Sequence, residues 1–140
     1  MKLYFKQQMQ YHYDKAMPLD GFPAYLIAMG EHVGFTFYVK NINGRFPTAY
    51  VEIPDGHPLY GKTLHTNVLD VHGGVTYAEG SLQPLASTGW FIGWDYGHAG
   101  DYAPYYEKGE YLEIHSRKWT VDDVIEECMS ACEQLVEMKR

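Results

Sequence analysis

Two nearby stretches of the chain alternate apolar and polar side chains in the pattern typical of a half-buried β-strand. The inward positions are Val33, Phe35, Phe37 and Val39 in residues 32–39, and Ala49, Val51 and Ile53 in residues 48–53. The Asn43-Gly44 pair between the stretches favours a tight turn. The pattern therefore predicts an antiparallel hairpin, and its register should be firm because a slip of one residue would expose the apolar face.

Other parts of the chain predict strands with less regular patterns. Residues 24–29 form a short apolar run, and residues 90–95 alternate so that Trp90, Ile92 and Trp94 share one face. Residues 68–78 predict a strand that is interrupted at a Gly-Gly pair, either by a bulge or by the close approach of another group. Residues 111–115 predict a short edge strand, and residues 1–20 an irregular arm or a short strand. The segments between them, residues 54–62 and 81–89, have the composition of loops.

The C-terminal segment, residues 120–139, has the period of an amphipathic helix. Thr120 at the N-cap and Asp123 three residues later form a variant of the capping box, and Trp119 and Val124 occupy the positions of a hydrophobic staple. Acidic residues in the first turns and Lys139-Arg140 in the last turn match the helix dipole. The apolar stripe of the helix consists of Val121, Val124, Ile125, Cys128, Ala131, Cys132, Leu135 and Val136.

These elements predict a single domain of the α+β class over residues 1–140. The helix must cover its apolar stripe, so we expect an antiparallel sheet with long loops and one C-terminal amphipathic helix packed on it. A chain of 140 residues is long enough for one domain with a real core. The 13 tyrosines favour a β-rich fold, and the alternative is a tyrosine-lined pocket or interface.

Charge and cysteine content exclude several classes of protein. The net charge is −7 and no basic stripe is present, so direct nucleic-acid binding is not expected. Cys128 and Cys132 lie one turn apart within the apolar stripe, which indicates small core residues of a reduced protein. The sequence has neither a secretory signal nor an apolar run of membrane-spanning length. We therefore expect a cytoplasmic protein without membrane association.

The segment WFIGWDYGHAGD, residues 90–101, carries the strongest candidate chemistry. Asp95, His98 and Asp101 are separated by glycines, which allow tight turns that bring the three side chains together. A carboxylate beside a histidine fixes the tautomer of the ring in acid–base dyads and around metal ions. The alternative is structural: a loop that is tied by its own side chains, with His98 bonded to the backbone.

A second candidate is His72, in the segment VHGGVTY. It precedes Gly73-Gly74, whose backbone N–H groups can meet an anion or a carbonyl group. The alternative is a bulge with a histidine that is hydrogen-bonded for structural reasons. We expect His72 to lie near His98, because the segments that contain them should be neighbours in the sheet.

The segment GHPLYGK offers a third candidate, with His57 and Tyr60 either projecting toward a ligand or forming part of a rigid turn. The remaining histidines at positions 12, 65 and 115 show no usable spacing. The chain lacks a P-loop, a dinucleotide-binding fingerprint, a G-x-S-x-G elbow and an H-E-x-x-H motif. Serine and cysteine nucleophiles are therefore disfavoured, and no cofactor is assigned.

In this order along the chain, GHPLYGK, VHGGVTY, WFIGWDYGHAGD and the helical segment DDVIEECMSACEQL resemble a family of small uncharacterised proteins from phages, prophages and bacteria. The similarity covers roughly residues 48–135. The resemblance implies a compact cytosolic protein, often encoded by a prophage, and no established activity. It also implies that one site contains His57, His72, Asp95, His98 and Asp101.

Three functions follow as alternatives. The first is the binding of a small polar ligand, such as a nucleotide-like molecule, in an aromatic pocket rimmed by His57, Tyr60, His72, Gly73, Gly74, Asp95, His98 and Asp101. The second is a metal-dependent hydrolase that uses His72, Asp95, His98 and Asp101. The third is a protein–protein inhibitor that acts through an aromatic surface. The sequence leaves homo-oligomerisation open.

Overall fold

The computed structural model describes residues 1–9, 26–42, 44–63, 67–102 and 116–139. In these residues the chain forms six strands, β1 Lys2–Lys6, β2 Leu26–His32, β3 Phe35–Ile42, β4 Phe46–Glu52, β5 Tyr77–Glu79 and β6 Phe91–Asp95, and one helix, α1 Val121–Glu137. The strands form one antiparallel sheet in the order β1-β2-β3-β4-β6-β5, and α1 packs on it. The predicted α+β fold is confirmed.

The predicted hairpin is formed by β3 and β4. The Arg45 N–H donates to the carbonyl of Ile42 across the turn (2.9 Å), and Gly44 adopts a φ of 76°. Glycine adopts such a φ without a steric penalty. The predicted inward residues of the second strand, Ala49, Val51 and Ile53, are all buried in the core between sheet and helix.

The first of the two predicted strands begins later than expected. Val33 and Gly34 form a turn between β2 and β3, with φ of 45° and 87°, so the earlier apolar run and the alternating stretch form a second hairpin. The prediction that Val33 faces inward is therefore wrong, and its side chain is 50% exposed. Successive positive φ values are those of the tight turns that match the twist of paired strands. Of the predicted run 24–29, residues 24 and 25 lie outside the described residues.

Strand β6 lies between β4 and β5 and has the two faces that its alternation predicts. Ile92 and Trp94 belong to the main core under the helix, and Trp90 packs against that core. Phe91 points to the opposite face, where it joins a smaller cluster that contains Tyr38 and Leu82.

The helix has the predicted N-terminus and a different C-terminus. The Thr120 side chain accepts a hydrogen bond from the Asp123 N–H, and the Asp123 carboxylate accepts one from the Thr120 N–H, so the capping box is complete. The helix ends at Glu137, and its last turn contains no basic residue. Lys139 lies beyond the end of the helix, so its predicted place in the last turn is wrong, and Arg140 lies outside the described residues. The described part of the chain contains no helix with the length and hydropathy that crossing a membrane requires.

The predicted strand over residues 68–78 is largely wrong, because the segment bonds to β6 only from Thr76 onward and β5 begins at Tyr77. Gly73 and Gly74 have φ of 70° and 80°, and the Gly74 N–H bonds to the carbonyl of Val71 in a tight turn. The apolar residues before and after the turn, Val71 and Val75, are buried in the main core. These two apolar residues therefore anchor an irregular segment to the core and do not belong to a strand. The strand predicted for residues 111–115 lies outside the described residues, as do the histidines at positions 12, 65 and 115.

Candidate functional site

Three irregular segments meet beside the N-terminal half of α1: the turn at residues 71–74, the loop at residues 96–102 after β6, and residues 116–120 before the helix. Backbone hydrogen bonds join the last two segments. The Tyr102 N–H donates to the carbonyl of Arg117, and the Arg117 N–H donates to the carbonyl of Gly100, both at 2.8 Å. The loop after β6 is therefore fixed to the start of the helix.

His72 is held both by its backbone and by its ring. Its N–H donates to Glu127 Oε1 on α1 (2.9 Å). Its ring stacks on Tyr96 with 5.0 Å between centroids and 5° between planes, and Trp119 packs against it at 4.7 Å. Glu127 also accepts a hydrogen bond from the Tyr96 hydroxyl (2.7 Å). These contacts direct the Nε2 atom of His72 toward Asp101, which lies 2.9 Å away through either carboxylate oxygen.

Asp101 is the central acceptor of the cluster and is only 7% exposed. Besides His72, its donors are Trp119 Nε1 (2.8 Å) and the backbone N–H of His98 (3.0 Å). Burial raises the pKa of the Asp101 carboxyl, but the hydrogen bonds from His72, His98 and Trp119 lower it by more. The pKa therefore lies below its ordinary value. Asp101 is therefore a carboxylate at neutral pH.

His98 lies between two carboxylates. Its Nδ1 atom is 3.3 Å from Asp101 Oδ2, and its Nε2 atom is 3.4 Å from Asp95 Oδ1. The ring is 5.4 Å from that of His72, so the predicted proximity of the two histidines is confirmed. It also lies directly over Gly73, where a Cβ atom would be only 2.3 Å from the Cε1 atom of His98. The group that approaches the Gly-Gly pair is therefore the imidazole of His98.

The cluster thus brings together one ligand-type atom from each of His72, His98 and Asp101, and these atoms all lie within 4.8 Å of one another. Asp95 contacts the cluster through His98. Of the two glycine N–H groups suggested for anion capture, that of Gly74 bonds to the carbonyl of Val71. The neighbouring N–H of His72 bonds to Glu127. The chemistry available here is that of two imidazoles and one ionised carboxylate.

His57 and Tyr60 lie elsewhere. The Nδ1 atom of His57 accepts a hydrogen bond from the Leu59 N–H, which leaves Nε2–H to donate to the carbonyl of Leu135 at 2.9 Å. Leu135 follows Glu127 by eight residues, or about 12 Å along the helix. His57 is buried and Tyr60 is exposed in the same turn, so the structure gives His57 a role in holding the C-terminal half of α1.

Three residues of the cluster are not among the site residues predicted from the sequence: Tyr96, Trp119 and Glu127. Trp119 is recognisable from the sequence only as part of the hydrophobic staple, and Tyr96 only as one aromatic residue among many. Glu127 lies on α1 among several acidic residues, and its partner His72 is 55 positions away. No local signal distinguishes it.

Comparison of the chain with protein-family models, with curated proteins and with solved structures returned no match. The relation to phage and prophage proteins therefore stays a prediction.

Proposed function

We propose that this protein binds a divalent transition-metal ion through His72, His98 and Asp101. The observation that carries the proposal is the convergence of two imidazole nitrogens and one carboxylate oxygen to within 4.8 Å of one another. Nitrogen and carboxylate ligands together suit zinc, iron and related ions, whereas calcium and magnesium prefer sets of oxygen atoms.

The distances support this ligand set. In a tetrahedral zinc site with bonds of about 2.0–2.1 Å, neighbouring ligand atoms are roughly 3.3 Å apart. Asp101 Oδ2 is 2.9 Å from His72 Nε2 and 3.3 Å from His98 Nδ1. The ligand atoms of the two histidines lie within 4.8 Å of each other, so the rings must also approach one another to hold an ion. The lowered pKa of Asp101 also favours the site, since a metal ligand must be deprotonated.

A metal ion held by three protein ligands keeps at least one position for water or for a small polar ligand. The side chains of His72 and His98 are 28% and 38% exposed, so water and small solutes can reach the cluster. Zinc lowers the pKa of a bound water to about 7, which makes that water a nucleophile. Metal-assisted hydrolysis is therefore the second candidate function.

The aromatic residues of the cluster favour a ligand bound to the metal over a stacked base. His72, Tyr96 and Trp119 pack against one another with centroids separated by 4.7–5.0 Å. The Arg117 guanidinium lies 3.6 Å from the centroid of the Trp119 ring. The rings thus contact protein groups, and we assign them to the support of His72.

The test is zinc titration of chelator-treated protein by calorimetry, with cobalt absorption as a second readout of ligand geometry. We expect wild type to bind one ion per chain. His98→Ala and Asp101→Asn should each weaken zinc binding by more than about a hundredfold, which is the upper range for loss of an outer-sphere partner.

His32→Ala is the matched control, because His32 also pairs with a carboxylate, that of Glu133, at 2.7 Å. This pair has no third ligand among the described residues. The control should bind zinc as tightly as wild type. Absence of zinc binding by folded wild type, or equal losses in the control and the site variants, would overturn the proposal.

A further inference from the structure

We infer that Asp95 is a positioning residue that makes His98 bind the metal ion through Nδ1, while His72 binds through Nε2. This inference rests on the function proposed above. It separates Asp95 from the metal ligands, because Asp95 lies on the far side of the His98 ring. Asp95 Oδ1 is 3.4 Å from Nε2 of His98, and the opposite nitrogen faces Asp101 at 3.3 Å.

The Asp95 carboxylate is itself held in place. Asp95 is the last residue of β6 and pairs with Thr48 of β4. Its Oδ1 atom accepts a hydrogen bond from the Gly97 N–H (3.0 Å), and its Oδ2 atom accepts one from the Thr76 hydroxyl (3.3 Å). A strand end and two donors thus fix an acceptor that faces one particular nitrogen of His98.

The chemistry of neutral imidazole makes this contact decisive. A neutral ring carries one N–H, and the other nitrogen keeps the lone pair that a metal requires. A carboxylate can only accept from the ring, and without an ion both Asp101, 3.3 Å from Nδ1, and Asp95, 3.4 Å from Nε2, can take the ring proton. When Asp101 binds an ion, Asp95 is the carboxylate left to accept that proton. Nε2 of His98 then keeps the N–H, and the lone pair lies on Nδ1, toward the ion. Carboxylate–histidine–metal arrangements fix ring tautomers in this way.

His72 must use the other nitrogen. Its Nε2 atom is the one that faces Asp101, at 2.9 Å. The two histidines therefore present different nitrogens to the same ion. This asymmetry is a signature that can be measured without any assay of activity.

The experiment records long-range proton–nitrogen correlation spectra of zinc-loaded, nitrogen-labelled protein. Wild type should show His98 with a protonated Nε2 and a metal-bound Nδ1, and His72 with the reverse. In Asp95→Asn the amide can either accept from Nε2 or donate to it, so the preference is lost. We expect mixed nitrogen usage at His98 and about a tenfold loss of zinc affinity.

Asp70→Asn is the control for loss of a nearby negative charge, since Asp70 is exposed and its described hydrogen bonds are made by backbone atoms. It should keep both the affinity and the nitrogen pattern of wild type. Denaturant midpoints of the metal-free variants separate the roles further, because a purely structural Asp95 would change stability and leave the nitrogen pattern unaltered.

The possible results distinguish the two proposals. Failure of wild type to bind zinc overturns both. Zinc bound through Nε2 of His98, or an Asp95→Asn variant with unchanged affinity and unchanged nitrogen pattern, overturns the role of Asp95 and leaves the metal site standing.

Discussion

Replacing Gly73 by alanine perturbs the cluster without altering any of its polar side chains. The added methyl group would lie 2.3 Å from Cε1 and 2.7 Å from Nε2 of His98. Non-bonded carbon atoms are most stable at about 3.5–4.0 Å, so the ring must move by roughly 1 Å or more. This displacement would disturb the contact between His98 Nδ1 and Asp101, which at 3.3 Å is already long for a hydrogen bond.

The magnitude has two parts, which a control variant separates. Gly73 has a φ of 70°, and alanine in this left-handed region costs about 1–2 kcal/mol. Gly61 has a φ of 73°, and nothing lies within 4 Å of its added methyl group. Gly61→Ala therefore includes the backbone strain alone. Gly73→Ala should lose roughly 1 kcal/mol more, a modest value because His98 is partly exposed.

The assays are urea denaturation and zinc titration of both variants. Gly61→Ala should keep the zinc affinity of wild type. Gly73→Ala should lose most of it, approaching the affinity of His98→Ala. If Gly73→Ala binds zinc as tightly as Gly61→Ala, displacement of His98 is harmless and the proposed ligand geometry is wrong.

Three further predictions concern the cluster and the core. Asp101→Asn should destabilise the protein at neutral pH, and the difference from wild type should shrink as the pH falls below about 4. The pKa of Asp101 is lower in the folded protein than in the unfolded chain, so the ionised side chain contributes its full stabilisation above the unfolded-state pKa and loses it as the pH falls through the folded-state pKa. A stability difference between wild type and Asp101→Asn that grows as the pH falls would contradict this. Trp119→Phe keeps a ring beside His72 but removes the donor to Asp101, and should cost about 1.5–3 kcal/mol in urea denaturation, whereas an unchanged midpoint would assign that hydrogen bond no role. Leu135→Ala should cost about 2–5 kcal/mol by the same measurement because Leu135 is fully buried, and a loss near zero would show that α1 is not docked through this residue.

The parts of the fold that follow from local chemistry could be predicted from the sequence. The capping box at Thr120, the apolar stripe of α1 and the alternation of residues 90–95 each depend on neighbours within a few positions. The pattern places Val33 in the wrong element because its apolar side chain fits the alternation, while the turn depends on the backbone at Val33-Gly34. An alternating pattern does not exclude a tight turn between two strands.

The site was predictable only in part, for a different reason. Glycine spacing around Asp95, His98 and Asp101 indicated that the chain can turn there, and the Gly-Gly pair beside His72 indicated a close approach. Neither pattern identifies the approaching group, and the spacing leaves the partner of each carboxylate open. His57 resembles His72 in sequence, since both are flanked by residues typical of turns. Only tertiary packing separates a histidine that caps a helix carbonyl from one in the cluster.

The hydrogen bond between Glu127 and the backbone of His72 has a consequence for the order of events during folding. It joins positions 55 residues apart, so it cannot form until α1 has been synthesised and has docked on the sheet. Contacts of such high sequence separation form at a large entropic cost and tend to come late. A nascent chain that ends before Glu127 would hold the proposed ligands His72, His98 and Asp101 without the helix that aligns them. We therefore expect zinc to be taken up after docking of the helix, so that the rate of metal uptake during refolding reports on that step.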